Sequence, residues 1–139
     1  MMQRRFVLDA CALLAFLNNE PGADKVEELL KRARKKEITL YVHAINLLEI
    51  YYGLYREEGE KAAEEFLDLT RELPLKVKRR ISSRFVREAG RLKANYKLSL
   101  ADAIAVAGAN LCHGKIVTAD HHELGALSES GVADILWIR

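Results

Sequence analysis

Cysteine is scarce in this chain. Cys11 and Cys112 are the only two, with no CxxC spacing and no Cys/His cluster around either. That argues against a disulfide framework or a zinc site and points to a reduced, cytoplasmic protein. Long apolar runs are missing too: none approaches the roughly 20 residues needed to cross a bilayer. The apolar stretch after Met1-Met2-Gln3-Arg4-Arg5 is too short for a secretory leader, so no membrane partner is expected. Glutamine occurs once, at Gln3, while Lys, Arg and Glu abound, a balance that leans towards a thermophilic source. Repeats, low-complexity tracts and flexible linkers are absent. A large excess of either charge is absent as well: the formal net charge is +2, which neither demands nor excludes a nucleic-acid partner.

What remains is a globular composition. The 139 residues are half apolar and 30% charged, enough for one domain spanning 1–139 with a real core. Basic residues gather at Lys31–Lys36, at Lys76–Arg80, and in a series of Arg84, Arg87, Arg91, Lys93 and Lys97. Most such clusters are solvated helix faces. Arg84, Arg87 and Arg91 stand out because they fall three and four apart, on one helix face, and are candidate contacts for the phosphates of a nucleic acid.

The pattern of elements alternates. Residues 4–9 read as a buried strand and Ala10 to Leu17 as a helix; Pro21 opens a second helix, and Ile38 to Val42 is β-rich. Helices follow over Ala44 to Tyr55 and Glu60 to Leu73, with Pro74 as the stop and a short strand over Leu75 to Val77. Ser82 or Ser83 caps a helix to about Tyr96, and Ser99 caps another ending near His113-Gly114, with Gly114 suited to the turn after it. Lys115 to Thr118 is a strand, Glu123 to Glu129 a helix, and Ile135 to Ile138 the last strand. Five strands alternating with helices imply an α/β fold with a mostly parallel sheet, which places ligands at its strands' carboxyl ends.

Four acids are hard to explain by folding alone. Asp9 and Asp120 end strand-like runs; Glu49 and Asp102 lie in mostly apolar helices, with no basic residue beside any of them. Each has an ordinary reading as well. Asp9 suits an N-cap, Asp120 a turn, and Ser99-Leu100-Ala101-Asp102 a capping box ahead of a helix apolar on every face. Glu49 is the most diagnostic, since it shares a face with Ile45 and Tyr52 and follows Asn46 by three. Dry carboxylates are costly unless paired or ligating a metal, and hard oxygen donors suit Mg²⁺ or Mn²⁺. Thr118 projects to the same side of an extended chain as Asp120, where its hydroxyl is a candidate to orient a metal-bound water. His121 and His122 read as loop residues, with His121 a candidate phosphate contact.

The segments Phe6-Val7-Leu8-Asp9-Ala10-Cys11-Ala12-Leu13-Leu14, Ala44-Ile45-Asn46-Leu47-Leu48-Glu49, Leu98-Ser99-Leu100-Ala101-Asp102-Ala103-Ile104-Ala105 and Ile116-Val117-Thr118-Ala119-Asp120, in this order, resemble those of PIN-domain ribonucleases, specifically VapC-type toxins of prokaryotic toxin–antitoxin pairs. The resemblance implies a Mg²⁺- or Mn²⁺-dependent endoribonuclease with Asp9, Glu49, Asp102 and Asp120 as catalytic metal ligands. Thr118 matches the family's hydroxyl residue before the last acid, and Asn46 stands where a polar residue often precedes the Glu. It further implies a small antitoxin that covers the catalytic groove, and a homodimer. Tyr51, Tyr52 and Tyr55 with Leu47 and Leu54 form a candidate surface for either interface. Two departures stand out: Cys11 occupies a position often held by Ser or Thr, and His121-His122 replaces a variable stretch. Rival readings are a non-catalytic RNA- or partner-binding module of the same fold, which gains nothing from clustered carboxylates, and a structure-specific DNA nuclease. A phosphoacceptor receiver domain needs adjacent acids after its first strand, whereas Asp9 is followed by Ala10-Cys11.

Overall fold

The computed structural model describes residues 4–139; Met1, Met2 and Gln3 of the segment considered as a leader lie outside the described residues. The chain begins with β1 (Arg4–Leu8), α1 (Ala10–Leu17), α2 (Ala23–Arg34), β2 (Ile38–His43), α3 (Ala44–Glu58) and α4 (Glu60–Glu72). It continues with β3 (Lys76–Lys78), α5 (Ser83–Asn95), α6 (Leu100–Leu111), β4 (Lys115–Thr118), α7 (His121–Glu129) and β5 (Ile135–Trp137). The five strands form one sheet in the order β3-β2-β1-β4-β5, and every neighbouring pair is parallel.

Alternation along β1 divides the core. Phe6 and Leu8 face one way, towards Leu13, Val26, Leu47 and Phe66 of α1 to α4; Val7 faces the other, towards Leu92, Ile104 and Leu124 of α5 to α7. A sheet covered on both faces needs strands without a polar side, which is why Phe6-Val7-Leu8 and Ile116-Val117 are unbroken apolar runs. Helix α6 is buried on nearly all sides from Ala103 to Ala107, as its composition implies.

The strand order also sets where a ligand belongs. The chain moves outward from β1 through β2 to β3, then returns to the other side of β1 to lay down β4 and β5. Connections therefore diverge between β1 and β4, leaving a crevice at their carboxyl ends. Asp9 follows β1 directly, and Asp120 lies two residues past β4.

Several boundaries differ from the sequence reading. Helix α2 starts at Ala23 rather than at Pro21, because Gly22 takes a left-handed φ of 98° as N-cap. A Cβ there would also lie 2.7 Å from the Ile138 carbonyl oxygen. Helix α3 runs on to Glu58, where Gly59 ends it. His121 and His122 are not loop residues but the first turn of α7, since the Asp120 carboxylate accepts the Glu123 N–H at 3.0 Å and caps the helix before them. After α6 the left-handed residue is His113, φ 57°, and not Gly114. Gly114 is required for a different reason: a Cβ on it would sit 2.5 Å from the Arg5 carbonyl oxygen of β1. Among the described residues no helix is long and apolar enough to cross a membrane.

Candidate active site

Three helix N-termini and the middle of a fourth helix meet at the crevice. Asp9 caps α1, with Oδ1 accepting the Ala12 N–H at 2.8 Å. Asp120 caps α7. Asp102 lies in the first turn of α6, where the Ser99 hydroxyl accepts its N–H at 3.1 Å, as the capping box predicts. The capping readings of Asp9, Asp120 and Ser99 therefore hold, and the partial positive charge at each N-terminus favours the ionised carboxylate. Glu49 reaches the same pocket from α3. The pocket encloses about 390 Å³ and is lined by Glu49, Asp102 and Asp120, together with Cys11, Glu20 and Glu123. Asp9 lies beneath it with no exposed surface.

One side chain holds this arrangement together. Asn46, fully buried one turn before Glu49, accepts the Ala10 N–H on Oδ1 at 3.1 Å and donates from Nδ2 to the Ala101 carbonyl at 3.3 Å. It thus ties the residue after Asp9 and the residue before Asp102 to the helix that carries Glu49. Buried polar groups that lose a partner cost about 1–3 kcal/mol each. Asn46→Ala is accordingly expected to destabilise the domain by about 2–4 kcal/mol in urea denaturation. A change below about 0.5 kcal/mol would show that the two bonds do not bind the site's elements together.

The carboxylates perturb one another. Burial raises Asp9 from 3.8 to about 7; the Thr118 hydroxyl and the Ala12 N–H pull it down, and Asp102 and Asp120 push it up again. Burial likewise raises Asp102 to about 6, against the Ser99 hydroxyl and with repulsion from Glu123, Glu49 and Asp120. Glu49 is raised by burial and then by Glu123. Glu20 is neutralised by Arg139 at 3.4 Å, whereas among the described residues no salt bridge involves Asp9, Glu49, Asp102, Asp120 or Glu123. Asp9 Oδ2 is buried without a hydrogen-bond partner among the described residues. Among the described residues no three acidic, His or Cys side chains are already closed around a cation-sized space. The chemistry of the donor set nonetheless fits a hard divalent ion: Glu49, Asp102 and Asp120 line one pocket, they have no salt-bridge partner among the described residues, and one Asp9 oxygen is left unsatisfied in the interior.

The supporting residues are placed as follows. Thr118 is fully buried; its Oγ1 accepts the Asp120 N–H at 3.0 Å and lies beside Asp9, so it positions both strand-end acids. The His121 ring stacks on Trp137 with centroids 3.7 Å apart, and its Nε2 meets the Arg139 carbonyl at 2.8 Å.

The model of the PIN domain matches residues 6–126. This chain belongs to the PIN-domain family. Its fold is shared by solved toxin–antitoxin structures along nearly their full lengths. DNA-bound VapBC from Salmonella typhimurium has a TM-score of 0.74 at 14% identity, covering 99% of this chain and 100% of that one. VapBC2 from Rickettsia felis, bound to a promoter DNA fragment, has 0.73 at 17% identity, covering 95% and 97%. VapBC-1 from nontypeable Haemophilus influenzae has 0.70 at 16%, covering 96% and 98%. Among curated proteins, none matches this chain in sequence.

This PIN domain's pocket contains an acid that the sequence reading missed. Glu123 lines it and is the largest charge repulsion felt by both Glu49 and Asp102. The signal was present as Asp120-x-x-Glu123, a capping-box spacing like the one at Ser99. None of Arg84, Arg87 and Arg91 lines this pocket. Arg84 lines a cavity of about 210 Å³ with Tyr41, His43 and Phe85, which shares no lining residue with the acidic pocket. Arg91 is held by Glu88 through two bonds of 3.1 and 2.7 Å. The aromatic surface is smaller than expected: Leu47 belongs to the core, Leu54 packs partly buried against it and Tyr51 donates to Glu64, leaving Leu48, Tyr52 and Tyr55 exposed along α3. The spacing of Leu47 and Leu54 turns them inward because α3 packs between α4 and α6.

Proposed function

We propose that this PIN-domain protein is a divalent-metal-dependent endoribonuclease, the toxin of a type II toxin–antitoxin pair, and that Asp9, Glu49, Asp102 and Asp120 are its catalytic carboxylates. The observation that supports this reading is that Glu49, Asp102 and Asp120 line one pocket at the crevice between β1 and β4, with buried Asp9 feeling the charge of Asp102 and Asp120, and that none of the four enters a salt bridge among the described residues. Glu49, Asp102 and Asp120 would hold Mg²⁺ or Mn²⁺, with Asp9 below them and Thr118 keeping its carboxylate in place. A bound ion supplies the positive charge that acidifies an attacking water and offsets charge building on the scissile phosphate. The protein's own part is to align the phosphate, exclude bulk water at Asp9, and offset part of the burial penalty on the ionised acids through three helix N-termini.

The proposed partner is a small antitoxin, supported by the toxin–antitoxin complexes that share this fold. The exposed Leu48, Tyr52 and Tyr55 face suits an antitoxin or a second copy of the chain. The test is direct. A 5′-labelled RNA incubated with the protein and Mn²⁺ is expected to be cut internally, to survive when EDTA is added, and to be cut again once excess Mn²⁺ is restored. RNA left intact with both Mg²⁺ and Mn²⁺, or cleavage indifferent to EDTA, would remove this reading. Equal cutting of a matching DNA would move the substrate class to DNA.

A further inference from the structure

Ser99 and Glu123, which line the acidic pocket, also line a second groove of about 590 Å³. Its other walls are the end of α5 and the loop after it, with Lys93, Tyr96 and Lys97, and the first turn of α7, with His122. Charge reverses across the shared wall: carboxylates on one side, two lysines on the other. We propose that this groove is the track for the single-stranded RNA segment next to the scissile phosphate, with Lys97 and His122 taking its backbone phosphate and Tyr96 its base. The inference rests on the nuclease reading above and names where that substrate runs.

A strand with one phosphate at the acids must lay the next against whatever adjoins them. More carboxylates would repel it; a cationic wall retains it. Lys93 Nζ donates to the Leu98 carbonyl at 2.7 Å, which fixes the loop leading to Ser99 without neutralising the ammonium charge. Lys97 is exposed and takes part in no salt bridge among the described residues. Tyr96 is anchored, its hydroxyl 3.2 Å from Ser130 Oγ and its ring packed against the core, so a base stacks on a held platform. The rival track along Arg84 and Arg91 lacks these features: Arg84 borders a separate cavity, and Arg91 is already paired with Glu88.

The test is kcat and KM for a fluorescein-labelled single-stranded RNA with Mn²⁺, using wild type, Lys97→Glu and Arg84→Glu. Lys97→Glu is expected to raise KM about tenfold with kcat within twofold. It should also lower the salt slope of log kcat/KM by about 0.7, the value for one single-strand phosphate contact. Arg84→Glu is expected to change KM less than twofold. Lys97 lies on the surface, and an unchanged melting temperature confirms that its variant folds. A KM for Lys97→Glu within twofold of wild type, or an equal rise in Arg84→Glu, overturns the track while leaving the nuclease reading intact. A wild-type protein that cuts no RNA overturns both.

Discussion

Asp9→Asn and Asp102→Asn are each expected to slow RNA cleavage by about a hundred- to a thousandfold, the range for losing one preorganised electrostatic group. The substitutions keep size and shape. The amide that replaces the Asp9 carboxylate retains an oxygen to accept the Ala12 N–H, so the cap on α1 survives while the charge is lost. Ser99, not Asp102, caps α6, so the second substitution leaves that helix start untouched as well. Both variants should therefore show wild-type circular dichroism, and both should bind Mn²⁺ more weakly by calorimetry. A variant that cleaves at the wild-type rate would exclude its residue from the chemistry. One that loses activity and also unfolds would mean that the carboxylate serves the fold instead.

The metal-free protein is expected to melt on the order of 5–10 °C higher at pH 5.5 than at pH 8. Asp9 in the folded state titrates near 7, above the 3.8 of an ordinary aspartate. Below about pH 4 both states hold the proton and the shift has no effect. Between about 4 and 7 the folded state keeps a proton that the unfolded chain has released, so stability falls as pH rises. Above 7 the full penalty applies, about 4 kcal/mol as an upper bound for this buried group. Asp102, raised to about 6, adds a smaller effect of the same sign because it is only partly buried. Under the proposed function Mn²⁺ would bind the ionised carboxylates, so its addition should close the gap by stabilising the pH 8 form. Asp9→Asn should narrow it without metal. Equal melting temperatures at both pH values in EDTA would show that burial does not hold Asp9 protonated in the folded state.

Most of the architecture was legible in local signals. Unbroken apolar runs at Phe6-Val7-Leu8 and Ile116-Val117 could only be strands covered on both faces, and Ser99 with Asp102 marked the start of α6. The acids were legible for the same reason, because Glu49 on an apolar face and Asp9 at a strand end contradict what burial prefers. Long-range placement was less accessible. Glu123 reads as one more helix-surface acid until α7 is set beside α6. The choice between Arg84 and Lys97 depends on which end of α5 approaches the crevice, and periodicity along one helix does not carry that information. Leu47 and Leu54 read as surface in the sequence because their inward turn depends on the positions of α4 and α6. Pro21 misled because the turn before α2 relies on the left-handed Gly22 beside it.

The outermost strands, β3 and β5, are three residues each, and β3 reads Lys76-Val77-Lys78. An extended polypeptide meeting either border finds few free amides to zip onto, and at β3 it also meets flanking ammonium groups. The sheet is thus blunted against templated fibril growth at both margins, and molecules crowded together during synthesis gain little by stacking edge to edge.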